Sequence, residues 1–187
     1  MQKIAAIFFA LAIAFASIGI SPALAAGAST LSLSPANVSV KTGDNFSLTL
    51  VVNPSGESLD TVRANLSWDA SKLEALAFDL GSQFPNLSPL NNISNTSGTL
   101  SYGGFKFGTA VTTSGTFGTV TFRALKSGSA TVSVTSDSRL ISNGAEKINA
   151  GVLGKATITV TGAEATSKAP DLIGDKPLST TPAPAPT

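Results

Sequence analysis

The 187-residue chain carries 12 basic and 11 acidic side chains, a formal charge of +1, and neither cysteine nor histidine. Without thiols or imidazoles, cysteine nucleophiles, Ser-His-Asp triads, histidine proton shuttles and disulfides are excluded, and zinc, haem and iron–sulfur sites lose their usual ligands. The near-neutral balance leaves no electrostatic footprint for nucleic acid or an anionic membrane surface.

Met1-Gln2-Lys3, the apolar run Ile4–Ile20 and the small-residue site Ala23-Leu24-Ala25 form the three-part layout of a secretory signal peptide, residues 1–25. The helix-breaking Pro22 before that site favours cleavage over a retained membrane anchor, and the cleaved product is exported to the cell surface or beyond. Loss of Lys3 with the leader makes the mature chain formally neutral.

Residues 26–162 form the expected domain, and period-two alternation dominates them. Phe46, Leu48, Leu50 and Val52 point one way in the first clear strand, and Val62, Ala64, Leu66 and Trp68 in the next. Val120-Phe122-Ala124, Ala130-Val132-Val134 and Ala156-Ile158-Val160 alternate with threonine, serine and arginine. Threonine keeps strand propensity while exposing a hydroxyl, which suits a solvated outer face. Turn chemistry at Lys41–Asp44, Asn53–Gly56, Lys126–Ser129 and Ser142–Gly144 separates these runs, and Ala70–Leu76 offers one helical turn at most. The Asn-, Ser- and Pro-rich Gly81–Gly98 reads as a long loop or a loop around a short edge strand. The pattern predicts an all-β fold, a β-sandwich of many short strands. Residues 163–187 hold five of the ten prolines and read as an extended Pro/Thr-rich linker or stalk, of the kind that leads on to a tether.

Paired carboxylates are the one catalytic constellation left to weigh. Asp69 and Glu74 are neighbours in sequence, while Asp44, Asp60 and Asp79 are scattered, and each sits in or beside a turn, where acids serve local hydrogen bonds. No Asp-x-Asp-x-Asp spacing supports calcium. No enzyme activity, metal or cofactor is expected. A sugar-binding surface needs flat exposed rings, and the chain has one Trp and one Tyr. Trp68 is in phase with buried positions and reads as core. Tyr102, in phase with Leu100 and beside two glycines, fits either a core ring or a platform. Tyr102 and Phe105 are therefore the candidate carbohydrate contacts, and an exposed pair among Phe84, Phe105, Phe107 and Phe117 would favour polysaccharide binding.

The order of the pieces resembles the cohesin domain family. Val38–Phe46 is similar to its first strand, glycine turn and start of the second strand. Leu66-Ser67-Trp68-Asp69-Ala70-Ser71-Lys72-Leu73-Glu74 resembles its aromatic-Asp-x-x-x-Leu-Glu segment, and Gly118–Ala124 followed by Gly128-Ser129-Ala130 its late hairpin. The resemblance implies a jelly-roll β-sandwich of about nine strands and non-catalytic docking of a dockerin-type protein module, gathering secreted enzymes on a scaffold or cell surface, with a link to polysaccharide degradation. It also places partner contacts on the outward positions of the third strand, here Thr61, Arg63 and Asn65. Cohesins often carry Asn and Asp at the first two, which Thr61 and Arg63 do not reproduce. Two other readings stand beside docking: a carbohydrate-binding module and a structural spacer of a surface layer or appendage.

Overall fold

The alternation of the central runs becomes two facing sheets in the computed structural model, which describes residues 27–162. The expected export signal and the Pro/Thr stalk lie outside the described residues. Fourteen strand segments form: β1 (Ser29–Ser34), β2 (Asn37–Lys41), β3 (Asn45–Asn53), β4 (Thr61–Ser67), β5 (Leu73–Leu80), β6 (Asn86–Leu87) and β7 (Asn92–Ser94) in the first half. They continue as β8 (Thr99–Phe105), β9 (Gly115–Ala124), β10 (Gly128–Val134), β11 (Arg139–Ser142), β12 (Ala145–Glu146), β13 (Ile148–Leu153) and β14 (Lys155–Thr161). One sheet runs β13-β1-β3-β9-β5, and the other β12-β11-β4-β10-β14-β2, with β8 on β4 and both β6 and β7 on β8. The segment number exceeds nine because edges are broken: β10 and β11 share one edge of β4, as β6 and β7 share one edge of β8.

All five expected alternations face the space between the sheets. Phe46, Leu48, Leu50 and Val52 of β3 meet Val62, Ala64 and Leu66 of β4, with Val120, Phe122, Val132 and Ile158 among the other buried residues. Trp68 is 7% exposed, its ring edge-on to Phe122, and its indole N–H donates to Leu73 O at 3.0 Å. That bond satisfies the one polar atom such a buried ring carries. Asp69 O accepts from the Lys72 and Leu73 amides, the single turn that carries the chain from β4 in one sheet to β5 in the other. Asn143 and Gly144 both have positive φ, 48° and 78°, as the two-residue hairpin between β11 and β12 requires.

Two expectations are corrected. The resemblance makes Gly118–Ala130 a hairpin, yet β9 and β10 belong to different sheets. The chain crosses over at residues 125–127, where the Leu125 amide donates to Lys72 O. The resemblance also takes the strand starting at Val38 as the first, yet β1 precedes it and buries Leu31 and Leu33. Gly81–Gly98 is a loop wrapped around two short edge strands, β6 and β7. From that segment Asn95 reaches the bulge in β5 and bonds both the amide and the carbonyl of Ala75, at 2.8 and 2.9 Å.

Candidate functional site

The outer faces of the two sheets differ in chemistry. On the β3–β9 side the middle of the outward face is made of hydroxyls that meet across the strands, Ser47 with Thr121 at 3.3 Å and Thr49 with Thr119 at 3.5 Å. The β4–β8 side is different, because an irregular loop and an aromatic pair lie on it.

Thr61, Arg63 and Asn65 all project from this second face, each half-buried between the buried Val62, Ala64 and Leu66. Register sets Thr61 beside Phe105, Arg63 beside Gly103 and Asn65 beside Ser101 of β8. Their polar groups are engaged within the protein. Thr61 Oγ1 donates to Asp60 Oδ1 at 2.7 Å, and Asn65 Nδ2 donates to Asp137 O at 2.8 Å. The Arg63 guanidinium donates to Pro89 O at 2.8 Å, Leu90 O at 3.4 Å and Ser101 Oγ at 3.1 Å. Where β10 gives way to β11, the buried Ser138 hydroxyl takes the place of a strand partner, bonding the amide and carbonyl of Asn65.

Gly103 explains how the loop comes so close. A Cβ there would lie 2.8 Å from Ser88 Cβ and 2.9 Å from Arg63 Nη2, inside the usual contact distance of about 3.5 Å. With no side chain in the way, Ser88 N–H donates to Gly103 O at 2.9 Å, and Gly103 N–H donates to Asn91 Oδ1 at 2.8 Å. At the tip, Leu90 has φ +64° and is 87% exposed. The left-handed region costs an ordinary residue about 1–2 kcal/mol, so the surrounding bonds must hold it.

Two further features flank this loop. Phe105 points outward and meets Phe107 edge-on at 4.8 Å, with Phe107 79% exposed. On the other side is a pocket of about 240 Å³ whose lining includes Asn65, Asn92, Thr99, Ser101, Thr135 and Asp137. The face thus offers apolar tips at one end and polar groups with one carboxylate at the other, and Arg139, beside Arg63 on β11, is paired with Glu146 at 3.3 Å. Tyr102 turns inward instead, packing on Phe78 at 4.3 Å against the core. Four of the five acids weighed for catalysis serve local structure. Asp44 Oδ2 accepts from the Lys41 amide, Asp60 accepts from Thr61 and the Asn143 amide, and Glu74 pairs with Arg123. The hydroxyl and backbone N–H of Ser71 hold the Asp69 carboxyl below its ordinary value.

A family model for the cohesin domain matches residues 31–168. The chain belongs to the cohesin domain family. Among solved structures, this cohesin is similar to the third ScaC cohesin of Acetivibrio cellulolyticus, determined in complex with the ScaB dockerin. The TM-score is 0.59 at 17% identity, covering 71% of this chain and 98% of that one. A cohesin of Clostridium acetobutylicum matches with TM-score 0.60 at 18% identity, over 72% of this chain and 92% of the other. A non-cellulosomal cohesin from the archaeon Archaeoglobus fulgidus matches with TM-score 0.57 at 12% identity, over 71% and 91%. Among curated proteins none matches the chain. The structural likeness shows a shared fold. The family is one of non-catalytic binding modules, whose members bind dockerins in cohesin–dockerin complexes.

Thr61, Arg63 and Asn65 lie together on one face, as the alternation predicts. What sequence reasoning misses is the loop that Arg63 holds. Its signals are an arginine on an otherwise neutral strand and a glycine pair in β8, but only the strand pairing brings them together.

Proposed function

We propose that this cohesin domain is an exported, non-catalytic docking module that holds a dockerin-type protein on the outer face of the β4–β8 sheet. Residues 163–187 would act as its stalk at the cell surface or on an extracellular scaffold, where dockerin-bearing enzymes of polysaccharide degradation gather. The observation that carries the reading is a face that bears the exposed Leu90 and Phe107 and a polar pocket, together with Thr61, Arg63 and Asn65. Exposed apolar tips rimmed by polar groups mark interaction surfaces. The near-neutral charge means that shape and neutral polar contacts would provide most of the affinity.

Calorimetric titration against a panel of purified dockerin modules, the ScaB dockerin among them, tests the reading. Saturable one-to-one binding by at least one is expected; no binding across the panel counts against docking. The exposed Phe107, edge-on to the half-buried Phe105, favours a second reading, retention on insoluble polysaccharide, since a sugar face can pack on the open Phe107 ring. A pull-down on insoluble polysaccharide, compared between the wild type and Phe107→Ala, separates the two.

A further inference from the structure

On the outer face of β4–β8 the guanidinium of Arg63 is turned onto the neighbouring loop. We propose that Arg63 is a positioning residue, a latch that clamps residues 88–91 over Gly103 and so presents Leu90 as the apolar contact to the partner. The inference rests on the docking reading above, and commits to a dockerin-type partner with an apolar surface opposite Leu90.

Four observations converge on it. The guanidinium reaches two successive loop carbonyls, Pro89 O and Leu90 O, and Ser101 Oγ on the neighbouring strand. A planar fork of donors suits such a multi-point grip in a way an ammonium does not. Gly103 leaves the space the loop needs, and its own amide and carbonyl are bonded to Asn91 and Ser88. Leu90 adopts a left-handed backbone with its side chain 87% exposed, and strained conformations that persist are held by their surroundings and cluster at functional positions. Three of the five guanidinium N–H groups are bonded inside the protein and the neighbouring Arg139 is paired with Glu146, so the face meets a partner with Leu90 as its exposed apolar tip. A partner seated there would be apolar at the contact centre, because an unpaired charge buried against Leu90 would be penalised.

Two measurements decide the matter. In the first, amide hydrogen exchange by NMR is compared between the full chain and Arg63→Gln, with no partner present. Exchange at Ser88 and Gly103 should rise about tenfold or more, the size expected for losing charge-assisted hydrogen bonds, while Leu66 and Leu100 stay protected and Arg63→Lys falls between. Unchanged exchange at Ser88 and Gly103 overturns the latch. In the second, a double-mutant cycle of Arg63→Gln and Leu90→Ala is measured against the tightest dockerin of the panel. Leu90→Ala should weaken binding about tenfold, as for an anchor residue, and adding Arg63→Gln should weaken it little further. Additive losses would make Arg63 a direct contact, and a Leu90→Ala variant that binds like wild type would remove Leu90 from the interface. If no dockerin binds the wild type, the docking reading falls and Leu90 with it, and the exchange measurement still decides the latch.

Discussion

Gly103→Ala should reverse the usual sign of a glycine replacement. Alanine in the interior of a regular element normally gains about 0.5–1 kcal/mol over glycine. Here the new methyl would sit 2.8 Å from Ser88 Cβ and 2.9 Å from Arg63 Nη2 and Ser88 Oγ. The guanidinium can swing aside, whereas Ser88 Cβ is fixed to the loop backbone. Relaxed contact therefore requires residues 88–91 to retreat by about 0.7–1 Å. Across that gap lie Ser88 N–H to Gly103 O at 2.9 Å, Gly103 N–H to Asn91 Oδ1 at 2.8 Å and Arg63 to Pro89 O at 2.8 Å. A retreat of that size takes all three beyond useful bonding distance. Neutral bonds contribute about 0.5–1.5 kcal/mol each and a charged one about 1.5–3 kcal/mol. Water recovers part of this at an exposed loop, and the backbone gain of alanine offsets more, leaving a net loss of about 1–2 kcal/mol. Urea unfolding should show a lower midpoint at unchanged m-value, with faster exchange at the Ser88 amide. A variant as stable as wild type, with that amide still protected, would refute the packing of the loop on β8.

Other consequences follow from the core and the turns. Phe122 is fully buried, stacked on Phe46 at 5.5 Å and edge-on to Trp68 at 5.2 Å. Phe122→Ala should cost about 3–5 kcal/mol in urea unfolding, and a loss under about 1 kcal/mol would mean the ring is not a centre of the core. Asn95→Ala should cost about 1–3 kcal/mol by unpairing both Ala75 backbone groups. Asn95→Gln, one methylene too long, should be destabilised too, and a wild-type melting curve for both variants would contradict the bridge. The Ser71 hydroxyl and amide lower the folded-state pKa of Asp69, so its stabilising contribution is present above the unfolded value and is lost as pH falls through the folded one. An NMR titration should find Asp69 below the ordinary aspartate range, and Ser71→Ala should move it upward; identical titrations would dismiss the Ser71 hydrogen bonds as the cause.

Much of this architecture is legible in the chain because period-two alternation is a one-strand property. Phe46–Val52, Val62–Trp68 and Ala156–Val160 each bury the side that their own residues indicate. Trp68 and the outward set Thr61, Arg63 and Asn65 follow from the same phase. What depends on pairing is not legible in this way. The three residues 125–127 could close a hairpin or cross between sheets, and only the partners of β9 and β10 decide. Ser138 and Asn95 stand in for missing strand partners, roles that a hydroxyl or an amide takes only where a neighbour is interrupted. Tyr102 shows the limit of local phase. It alternates correctly with Leu100, yet its place against Phe78 comes from the opposite sheet. The loop on Arg63 combines both difficulties, since Pro89 and Leu90 are far from Arg63 in sequence and meet it across β8.

The central claim is that a dockerin-type partner sits on the outer face of β4–β8. Chemical-shift perturbation of the labelled domain on titration with a dockerin of the panel tests it most directly. Perturbations should centre on Arg63, Asn65, Leu90, Ser101 and Phe107, and leave Ser47, Thr49, Thr119 and Thr121 of the opposite face unmoved. A saturable complex whose perturbations fall on that opposite hydroxyl face instead would contradict the account.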